Sequence, residues 1–281
     1  MAPDAALSLT FIGGGNMAGA LIAGLAGRLT AGAHIHVVDP NDAQLARLAD
    51  SFGVSTASAI DARVLASKVI VLAVKPQQMR AVAAALAPLL APVLSGGPLL
   101  LSIAAGIGSA DLARWLGGYG AIVRCMPNTP ALIGQGITGM VATIAVSAAQ
   151  RALADGILQA VGQTVWLADE ALIDPVTAVS GSGPAYVFYF IEAMAQAAVE
   201  LGLTAEQGKQ LALATFTGAA QLAAQSADEV AVLRDKVTSK GGTTYAALQS
   251  MEASGVKQAI IDAVKAAAAR GRELGVELGR D

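Results

Sequence analysis

The sequence predicts an α/β domain with a doubly wound parallel sheet, followed by an all-helical domain. Up to about residue 168, short apolar runs rich in β-branched residues alternate with Ala- and Leu-rich stretches at helical spacing. This alternation is typical of parallel strands joined by helices. After residue 168 no convincing strand remains, and Ala, Leu and Gln recur at helical spacing. We therefore expect an α/β domain over residues 1–168 and a helical domain over residues 169–281.

Each element has a local signal. The run 68–74 is continuously apolar after its lysine, as expected for a strand buried on both faces. Ser58 and Pro76 are suited to helix starts, Pro184 suits a first helical turn, and Thr204 with Gln207 makes a capping box. The predicted strands are 7–12, 35–39, 53–56, 68–74, 99–103, 121–126, 137–143 and 164–167. The predicted helices are 16–29, 42–52, 58–65, 76–90, 109–116, 147–161, 172–201, 205–224, 230–237 and 244–274.

The composition excludes several classes of protein. With 54% apolar and 14% charged residues, the chain of 281 residues is core-rich and globular, not disordered. A net charge of −3 without a basic run argues against a nucleic-acid partner. The uncharged stretch 81–110 is interrupted by prolines and glycines, which favours helix, loop and strand over a membrane span.

The cysteine and histidine content bears on disulfides, location and metal binding. The single cysteine, Cys125, excludes an internal disulfide and suits a reducing cytoplasm, and no secretory signal is evident at the N-terminus. We therefore expect a cytoplasmic protein. Cys125 has no nearby histidine or second cysteine, so an inert buried thiol is favoured. His34 and His36 also have no acidic or cysteine partner nearby, and we expect no metal site.

A glycine-rich turn follows the first predicted strand. Gly13, Gly15 and Ala18 fit the pattern G-x-G-x-x-G/A between a strand and a helix. Gly13 permits the tight turn, Gly15 lets a pyrophosphate approach the backbone, and Ala18 allows close packing of the helix on the strand. The positive end of the helix then faces the phosphates. The pattern predicts a Rossmann-type dinucleotide-binding domain; the alternative is a glycine turn without a ligand.

Asp39 ends the second predicted strand, 21 residues after Ala18. At that distance an acid hydrogen-bonds the ribose hydroxyls of the adenosine, which favours NAD over NADP. The alternative is that Asp39 caps the next helix, for which Asn41 is also available.

Two further strand ends carry candidate residues. Lys75 follows the fourth strand and would face the cofactor or the substrate; otherwise it is a solvated charge. Pro127 and Pro130 bracket Asn128 and Thr129 in a rigid turn suited to holding a nicotinamide edge.

The helical part contains two segments rich in small residues. Residues 179–186 place glycines and serines before a helix, where backbone can approach another chain or a ligand. Residues 238–244 combine hydroxyls and glycines at a helix start, which suits an anion. The Ala-rich helices with few charges, such as 211–224, would expose too much apolar surface in a monomer, so we expect a dimer.

Together these segments resemble the pyrroline-5-carboxylate reductases, in order and in spacing. The resemblance rests on residues 11–17, 74–77, 124–130, 179–190 and 233–244, and it covers nearly the whole chain. It implies reduction of 1-pyrroline-5-carboxylate to L-proline by hydride transfer from NADPH or NADH, the last step of proline synthesis. This chain has Lys240 where many members have proline, and an acid at position 39 that many members lack.

The resemblance also implies roles for individual residues and an assembly. Cofactor contacts are implied for Gly13, Gly14, Gly15, Asn16, Met17, Asp39, Ala73, Val74, Lys75, Pro76, Met126, Pro127, Asn128 and Thr129. Substrate contacts are implied for Val237, Ser239, Lys240, Gly241, Gly242, Thr243 and Thr244. Thr244 would lie beside the ring nitrogen as the catalytic hydrogen-bond donor. The helical domains would interleave in a homodimer, and such dimers often gather into decamers.

Two other functions remain as alternatives. A β-hydroxyacid dehydrogenase shares the order of domains but needs a lysine near the start of the interdomain helix, and residues 185–200 contain no Lys, Arg or His. A non-catalytic dinucleotide-sensing protein is the second alternative, because a fold alone does not fix a function.

Overall fold

The structure, a computed structural model, describes residues 7–94 and 96–279. The chain forms two compact units. One contains the residues up to Gly181 together with those from Ala267 onward, and the other is Ser182–Ala266. Residue 168, the predicted domain boundary, lies within the first unit, and that boundary stays a prediction.

The first unit is built on an eight-stranded sheet with the order β3-β2-β1-β4-β5-β6-β7-β8. The strands are β1 (Leu9–Ile12), β2 (Ile35–Val38), β3 (Ser55–Ala57), β4 (Val69–Leu72), β5 (Leu99–Ser102), β6 (Ile122–Met126), β7 (Gly136–Ala142) and β8 (Gly162–Trp166). All neighbours are parallel except β6 and β7, which are antiparallel. The predicted doubly wound fold is confirmed, and its order reverses between β1 and β4.

The helices occupy both units. They are α1 (Asn16–Leu25), α2 (Asp42–Phe52), α3 (Pro76–Leu90), α4 (Ser109–Trp115), α5 (Ala148–Gln159), α6 (Ile173–Val176), α7 (Gly183–Glu200), α8 (Ala205–Gln225), α9 (Val230–Lys236), α10 (Thr243–Ala253) and α11 (Val256–Gly279). Between α6 and α7 lies a π-helical turn, Thr177–Gly181. The second unit contains helices and no strand, as predicted.

Two apolar clusters fix the sheet, one on each face. Phe11, Val37 and Val71 belong to the cluster that also holds α1 residues, while Ile12 and Leu72 belong to the cluster that holds α3 residues. Alternate residues of each central strand are thus buried on opposite faces, which explains the continuous apolar runs. The sheet is rigid for this reason, and it presents its carboxyl-terminal strand ends at one edge.

Several predicted helix bounds are wrong. Residues 58–65 do not form a helix from Ser58: only a short 3₁₀ turn, Ala62–Ala66, forms, and Asp61 caps it by accepting from the Arg63 N–H. The helix predicted over 16–29 ends at Leu25, because Gly27 adopts a left-handed conformation with φ of 76°.

Two long predicted helices are interrupted. The helix predicted over 172–201 is divided by the π-helical turn before α7 begins. The helix predicted over 244–274 is two helices, α10 and α11, since Gly255 adopts φ of 66° between them. Neither break interrupts the apolar periodicity of the sequence, so the periodicity alone could not reveal the end of one helix and the start of the next.

No helix among the described residues is long and apolar enough to span a membrane. The stretch 81–110 contributes to α3, β5 and α4, in line with its prediction as helix, loop and strand.

The second unit pairs α7 with α8. Thr204 and Gln207 form the predicted capping box at the start of α8, and Pro184 lies in the first turn of α7. A Cβ on Gly208 would lie 2.9 Å from the Ala195 carbonyl oxygen, so the glycine lets the two helices approach closely. The Phe190 and Phe216 ring centroids are 6.5 Å apart across this contact.

Much apolar surface of the second unit faces outward in a single chain. No residue of α7, α9 or α10 is fully buried. Phe188, Tyr189 and Leu201 are 64%, 71% and 85% exposed. Exposed large apolar side chains in contiguous helices are typical of a surface that another chain covers.

Candidate active site

The glycine-rich turn is shaped by its contacts with two strands. The Gly13 N–H donates to the Val38 carbonyl oxygen at 2.7 Å, and Gly13 adopts φ of 99°. A Cβ there would lie 2.6 Å from the Ala73 carbonyl oxygen, so only glycine fits. Gly15 faces open space and precedes α1 without a side-chain cap. The first N–H groups of α1 are therefore free to receive a phosphate.

Asp39 braces this turn from the end of β2. Its Oδ2 accepts from the Gly14 N–H at 2.7 Å, and its Oδ1 accepts from the Asn41 N–H at 2.9 Å. The N-cap of α2 is Asn41, whose side chain accepts from the Gln44 N–H. The alternative of Asp39 as the helix cap is therefore excluded by the geometry. The Gln44 amide also donates to the Gly14 carbonyl oxygen, which holds the turn from its other side.

A cleft of about 580 Å³ opens at the carboxyl ends of β1, β2, β3 and β4. Of the predicted cofactor residues it brings together Gly13, Gly15, Asp39, Ala73, Val74 and Lys75. Gly14, Asn16, Met17 and Pro76 are their neighbours in sequence but do not line it. The cleft adjoins β1 and β4, where the strand order reverses, and ligands of open α/β sheets bind at this place.

The cleft also contains residues that the sequence analysis missed. Ser58, Ala59 and Ile60 follow β3, and Gln77 and Gln78 lie in the first turn of α3. The strand-end rule that picked out Asp39 and Lys75 applies equally to the residues after β3.

The turn Met126–Thr129 follows β6 and does not line this cleft. Asn128 is 9% exposed, and both ends of its amide are used internally. Its Nδ2 donates to the Ser180 carbonyl oxygen at 3.1 Å, and its Oδ1 accepts from the Ile137 N–H at 3.0 Å. The turn is thus held by β7 and by the π-helical turn.

A partly buried ion pair lies just before that turn and was not foreseen. Arg124, 8% exposed, donates from Nη1 to Glu170 Oε1 at 2.9 Å. Glu170 also accepts from the N–H and the hydroxyl of Ser109. Burial raises the pKa of Glu170, but the hydrogen bonds from Ser109 and the charge of Arg124 outweigh it and hold this pKa below its ordinary value.

Cys125 is unsuited to nucleophilic chemistry. It is 1% exposed, and burial raises the pKa of its thiol. Among the described residues there is also no group of His, Cys, Asp or Glu that could hold a metal ion.

The predicted substrate loop, 237–244, lies in the second unit and runs from the end of α9 into the first turn of α10. Gly241 adopts φ of 76°, and the Gly242 N–H donates to the Ser239 carbonyl oxygen at 3.0 Å. The N-cap of α10 is Gly242, which offers no side-chain cap, so Thr244 does not cap the helix. The half-buried Thr244 makes no side-chain hydrogen bond within the part of the chain that the structure describes. Its hydroxyl is available to a ligand.

Comparison with known proteins identifies the family. The family model for pyrroline-5-carboxylate reductase dimerisation matches residues 170–274, and that for NADP oxidoreductase, coenzyme F420-dependent, matches residues 8–106. The pyrroline-5-carboxylate reductase of Pseudomonas aeruginosa is 48% identical over 97% of this chain and 98% of the relative. The chain belongs to the pyrroline-5-carboxylate reductase family. The pyrroline-5-carboxylate reductase of Haemophilus influenzae is 40% identical over 95% of this chain and 97% of the relative.

Solved structures of the family agree in fold. The pyrroline-5-carboxylate reductase of Coxiella burnetii is 38% identical, with a TM-score of 0.89 over 96% of this chain and 98% of that chain. The Plasmodium falciparum pyrroline carboxylate reductase with NADP bound is 30% identical, with a TM-score of 0.84 over 96% of this chain and 99% of that chain.

Family membership establishes the activity in outline. The chain is an NAD(P)H-dependent oxidoreductase that reduces 1-pyrroline-5-carboxylate to L-proline, as the sequence resemblance predicted. It contains a dimerisation region. The alternatives of a β-hydroxyacid dehydrogenase and of a non-catalytic dinucleotide sensor are disfavoured.

Proposed function

We propose that the cleft beside β1 and β4 holds the dinucleotide and that the loop 237–244 holds the imine. The observation that carries the proposal is the cleft itself, which unites the glycine turn, Asp39 and the residues after β4. When bound, the reduced nicotinamide supplies the hydride that the C=N carbon accepts.

The glycine turn fits the pyrophosphate of a dinucleotide. Any side chain on Gly13 would collide with Ala73, and the space in front of Gly15 is open. The uncapped N–H groups of α1 donate to the phosphate oxygens, and the positive end of the helix dipole favours their charge. Lys75, which precedes α3 at the rim of the cleft, adds a cation near the same ligand.

Asp39 sets the preference between the two dinucleotides. Its carboxylate lies at the cleft and is fixed by the N–H groups of Gly14 and Asn41. Lone pairs of its oxygens remain for the ribose hydroxyls of NADH. The 2′-phosphate of NADPH would suffer like-charge repulsion of about 1 kcal/mol at ~4 Å even in bulk water. We propose that both dinucleotides are used and that Asp39 biases the enzyme towards NADH.

The loop 237–244 recognises the substrate by its carboxylate and its ring nitrogen. The N–H groups at the start of α10 and the hydroxyls of Ser239 and Thr243 are donors for the carboxylate, and Lys240 is an exposed cation beside them. The hydroxyl of Thr244 donates to the ring nitrogen of the neutral imine, and it accepts from the N–H once that nitrogen is protonated. A protonated imine is a good hydride acceptor, so orientation of the two reactants supplies most of the rate enhancement.

We propose a homodimer through the second unit, because α7, α9 and α10 bury none of their residues fully in a single chain. The further assembly of dimers into decamers rests on the resemblance alone. The single cysteine supports a location in the reducing cytoplasm, and the charge of −3 supports the absence of a nucleic-acid partner.

One assay tests the catalytic proposal. Oxidation of NADH and of NADPH is followed at 340 nm with and without 1-pyrroline-5-carboxylate, and L-proline is quantified as the product. We expect imine-dependent oxidation with both dinucleotides. If neither NADH nor NADPH is oxidised by protein that binds them, the chain is a dinucleotide sensor and the proposal is overturned.

A further inference from the structure

The π-helical turn Thr177–Gly181 is a local departure from the helices on either side of it. Two hydroxyls stabilise it by bonding back along the chain: Thr177 Oγ1 donates to the Ile173 carbonyl oxygen at 2.8 Å, and Ser180 Oγ to the Val176 carbonyl oxygen at 3.0 Å. Such back-bonding distorts a helix and widens its turn. Turns of this kind occur frequently at functional sites.

The turn ends with a carbonyl group that needs a partner from elsewhere. The last carbonyl groups of a helical segment have no intrahelical donor. The Ser180 carbonyl oxygen accepts instead from Asn128 Nδ2, 52 residues earlier in the chain. Since the other end of the same amide accepts from the Ile137 N–H, Asn128 fastens the turn after β6 to two elements at once.

Gly181 provides a second contact between the same two segments. A Cβ on Gly181 would lie 2.7 Å from Met126 Cε, so a larger residue here would displace the end of the Met126 side chain. Glycine at this position therefore leaves the Met126 side chain its place. Asn128 thus holds the backbone of Met126–Thr129, and Gly181 leaves room for the Met126 side chain at its start.

We propose that Asn128 and Gly181 are positioning residues: they hold Met126–Thr129 at the distance from which hydride transfer proceeds, and Asn128 itself does not contact the dinucleotide. This inference rests on the proposed binding of the dinucleotide, with its nicotinamide placed beside Met126–Thr129 as the sequence analysis predicts. The buried amide of Asn128 makes one hydrogen bond at each of its ends within the protein, so we infer that it acts through the loop that these bonds hold. A displacement of about 1 Å in such a loop lowers kcat by roughly 100-fold.

The substitution Asn128→Asp tests the contact with Ser180. It keeps the size of the side chain and the acceptor for Ile137, but it places a carboxylate oxygen against the Ser180 carbonyl oxygen. We expect kcat to fall by roughly 10- to 100-fold, while KM for NADH and for the imine changes less than about threefold. The primary isotope effect of 4-deuterated NADH on kcat should rise, because hydride transfer becomes slower than product release.

Acidification provides a rescue that a general loss of structure would not show. A buried carboxyl group facing a carbonyl oxygen has a raised pKa, since its protonated form donates the hydrogen bond. Lowering the pH should therefore restore part of kcat in Asn128→Asp, relative to the wild-type profile. Gly181→Ala, which displaces only the end of the Met126 side chain, should lower kcat by a smaller factor, without any rescue by acid.

Two controls separate the possible failures. Thr30→Val removes a buried hydrogen bond of 2.7 Å to the Leu7 carbonyl oxygen elsewhere in the same unit; it should lower the melting temperature and leave kcat unchanged. Met126→Ala tests the proposed placement of the nicotinamide. If Met126→Ala leaves kcat and KM at wild-type values, that placement is wrong.

Three results would overturn the positioning role of Asn128 and Gly181, even if the nicotinamide does lie beside Met126–Thr129. The first is wild-type kcat in both Asn128→Asp and Gly181→Ala. The second is a rise in KM for NADH at unchanged kcat, which would make Asn128 a binding contact. The third is a loss of kcat no larger than that of Thr30→Val. If Asn128→Asp does not fold, Gly181→Ala decides between these outcomes alone.

Discussion

At the scale of the residue, Asp39 has two separable tasks. It accepts from the Gly14 N–H and so shapes the glycine turn, and it places a negative charge at the cleft. The first task depends on an acceptor, the second on a charge. A serine at this position retains an acceptor and removes the charge, which makes the two tasks experimentally distinct.

We predict that Asp39→Ser raises the NADPH/NADH ratio of kcat/KM about fivefold, the equivalent of the ~1 kcal/mol repulsion that it removes. Steady-state kinetics with both dinucleotides measure the ratio. Asn41→Ala is the matched control: it removes the α2 cap, and we expect it to lower the melting temperature without changing the ratio. An unaltered ratio in Asp39→Ser would leave Asp39 with a structural task only.

Thr244 allows an equally direct test. Because Gly242 is the N-cap of α10, loss of the Thr244 hydroxyl removes no cap. We predict that Thr244→Ala lowers kcat/KM for the imine roughly tenfold or more, about 1.4 kcal/mol or more of transition-state stabilisation, with dinucleotide affinity nearly unchanged. Thr244→Ser should keep most of the activity. Thr204→Ala, which removes the N-cap of α8 in the same unit, is the control for stability. Normal kinetics in Thr244→Ala would remove it from the site.

Local pattern foresaw some site residues and not others. The positions of Gly13 and Asp39 at the cleft were predictable because both follow strands of a strand–turn–helix unit, while their roles toward a dinucleotide stay predictions. The contacts of Asn128 and of Arg124 were not predictable, since their partners lie 52 and 46 residues away and no periodic signal connects them. Asn128 was predicted as a cofactor contact, and that role is still untested.

At the scale of the element, apolar periodicity located the strands well and the helix interruptions poorly. The strands lie within one or two residues of their predicted bounds because buried β-branched runs leave few alternatives. The breaks at Gly255 and at the π-helical turn come from backbone conformation, which side-chain pattern does not encode.

The ion pair between Arg124 and Glu170 joins β6 to the segment after β8 and predicts a pH effect. The folded state holds the pKa of Glu170 below its ordinary value of 4.5, so its ionised form is stabilised by folding. This contribution is present above that value and is lost as the pH falls through the folded pKa. We predict that Glu170→Gln lowers the stability at neutral pH and that its difference from wild type shrinks on acidification below about pH 4.5.

Urea unfolding at pH 7 and near pH 4 measures this difference. Glu252→Gln, at an exposed position of α10, is the matched control, and its difference from wild type should be small at both pH values. A difference for Glu170→Gln that stays constant between the two pH values would contradict the stabilising role of the charge.

At the scale of the whole molecule, the two units differ in how they bury apolar surface. The first unit contains two closed clusters, one on each face of its sheet. The second unit buries few of its residues, although its helices are rich in Ala, Leu and aromatic side chains. A chain with such a unit gains stability from association, because binding to the folded state raises apparent stability with concentration.

We predict an obligate homodimer whose melting temperature rises with protein concentration. Phe188→Glu places a charge on the exposed face of α7 and should weaken association by several-fold or more, with loss of activity. Ile144→Glu is the control: this isoleucine, even more exposed than Phe188, lies in the first unit, and its replacement should leave association and activity unchanged. Sedimentation at micromolar concentration measures both variants. A wild-type monomer that is folded and active under these conditions would exclude the obligate dimer, because it would show that the apolar face of the second unit tolerates water.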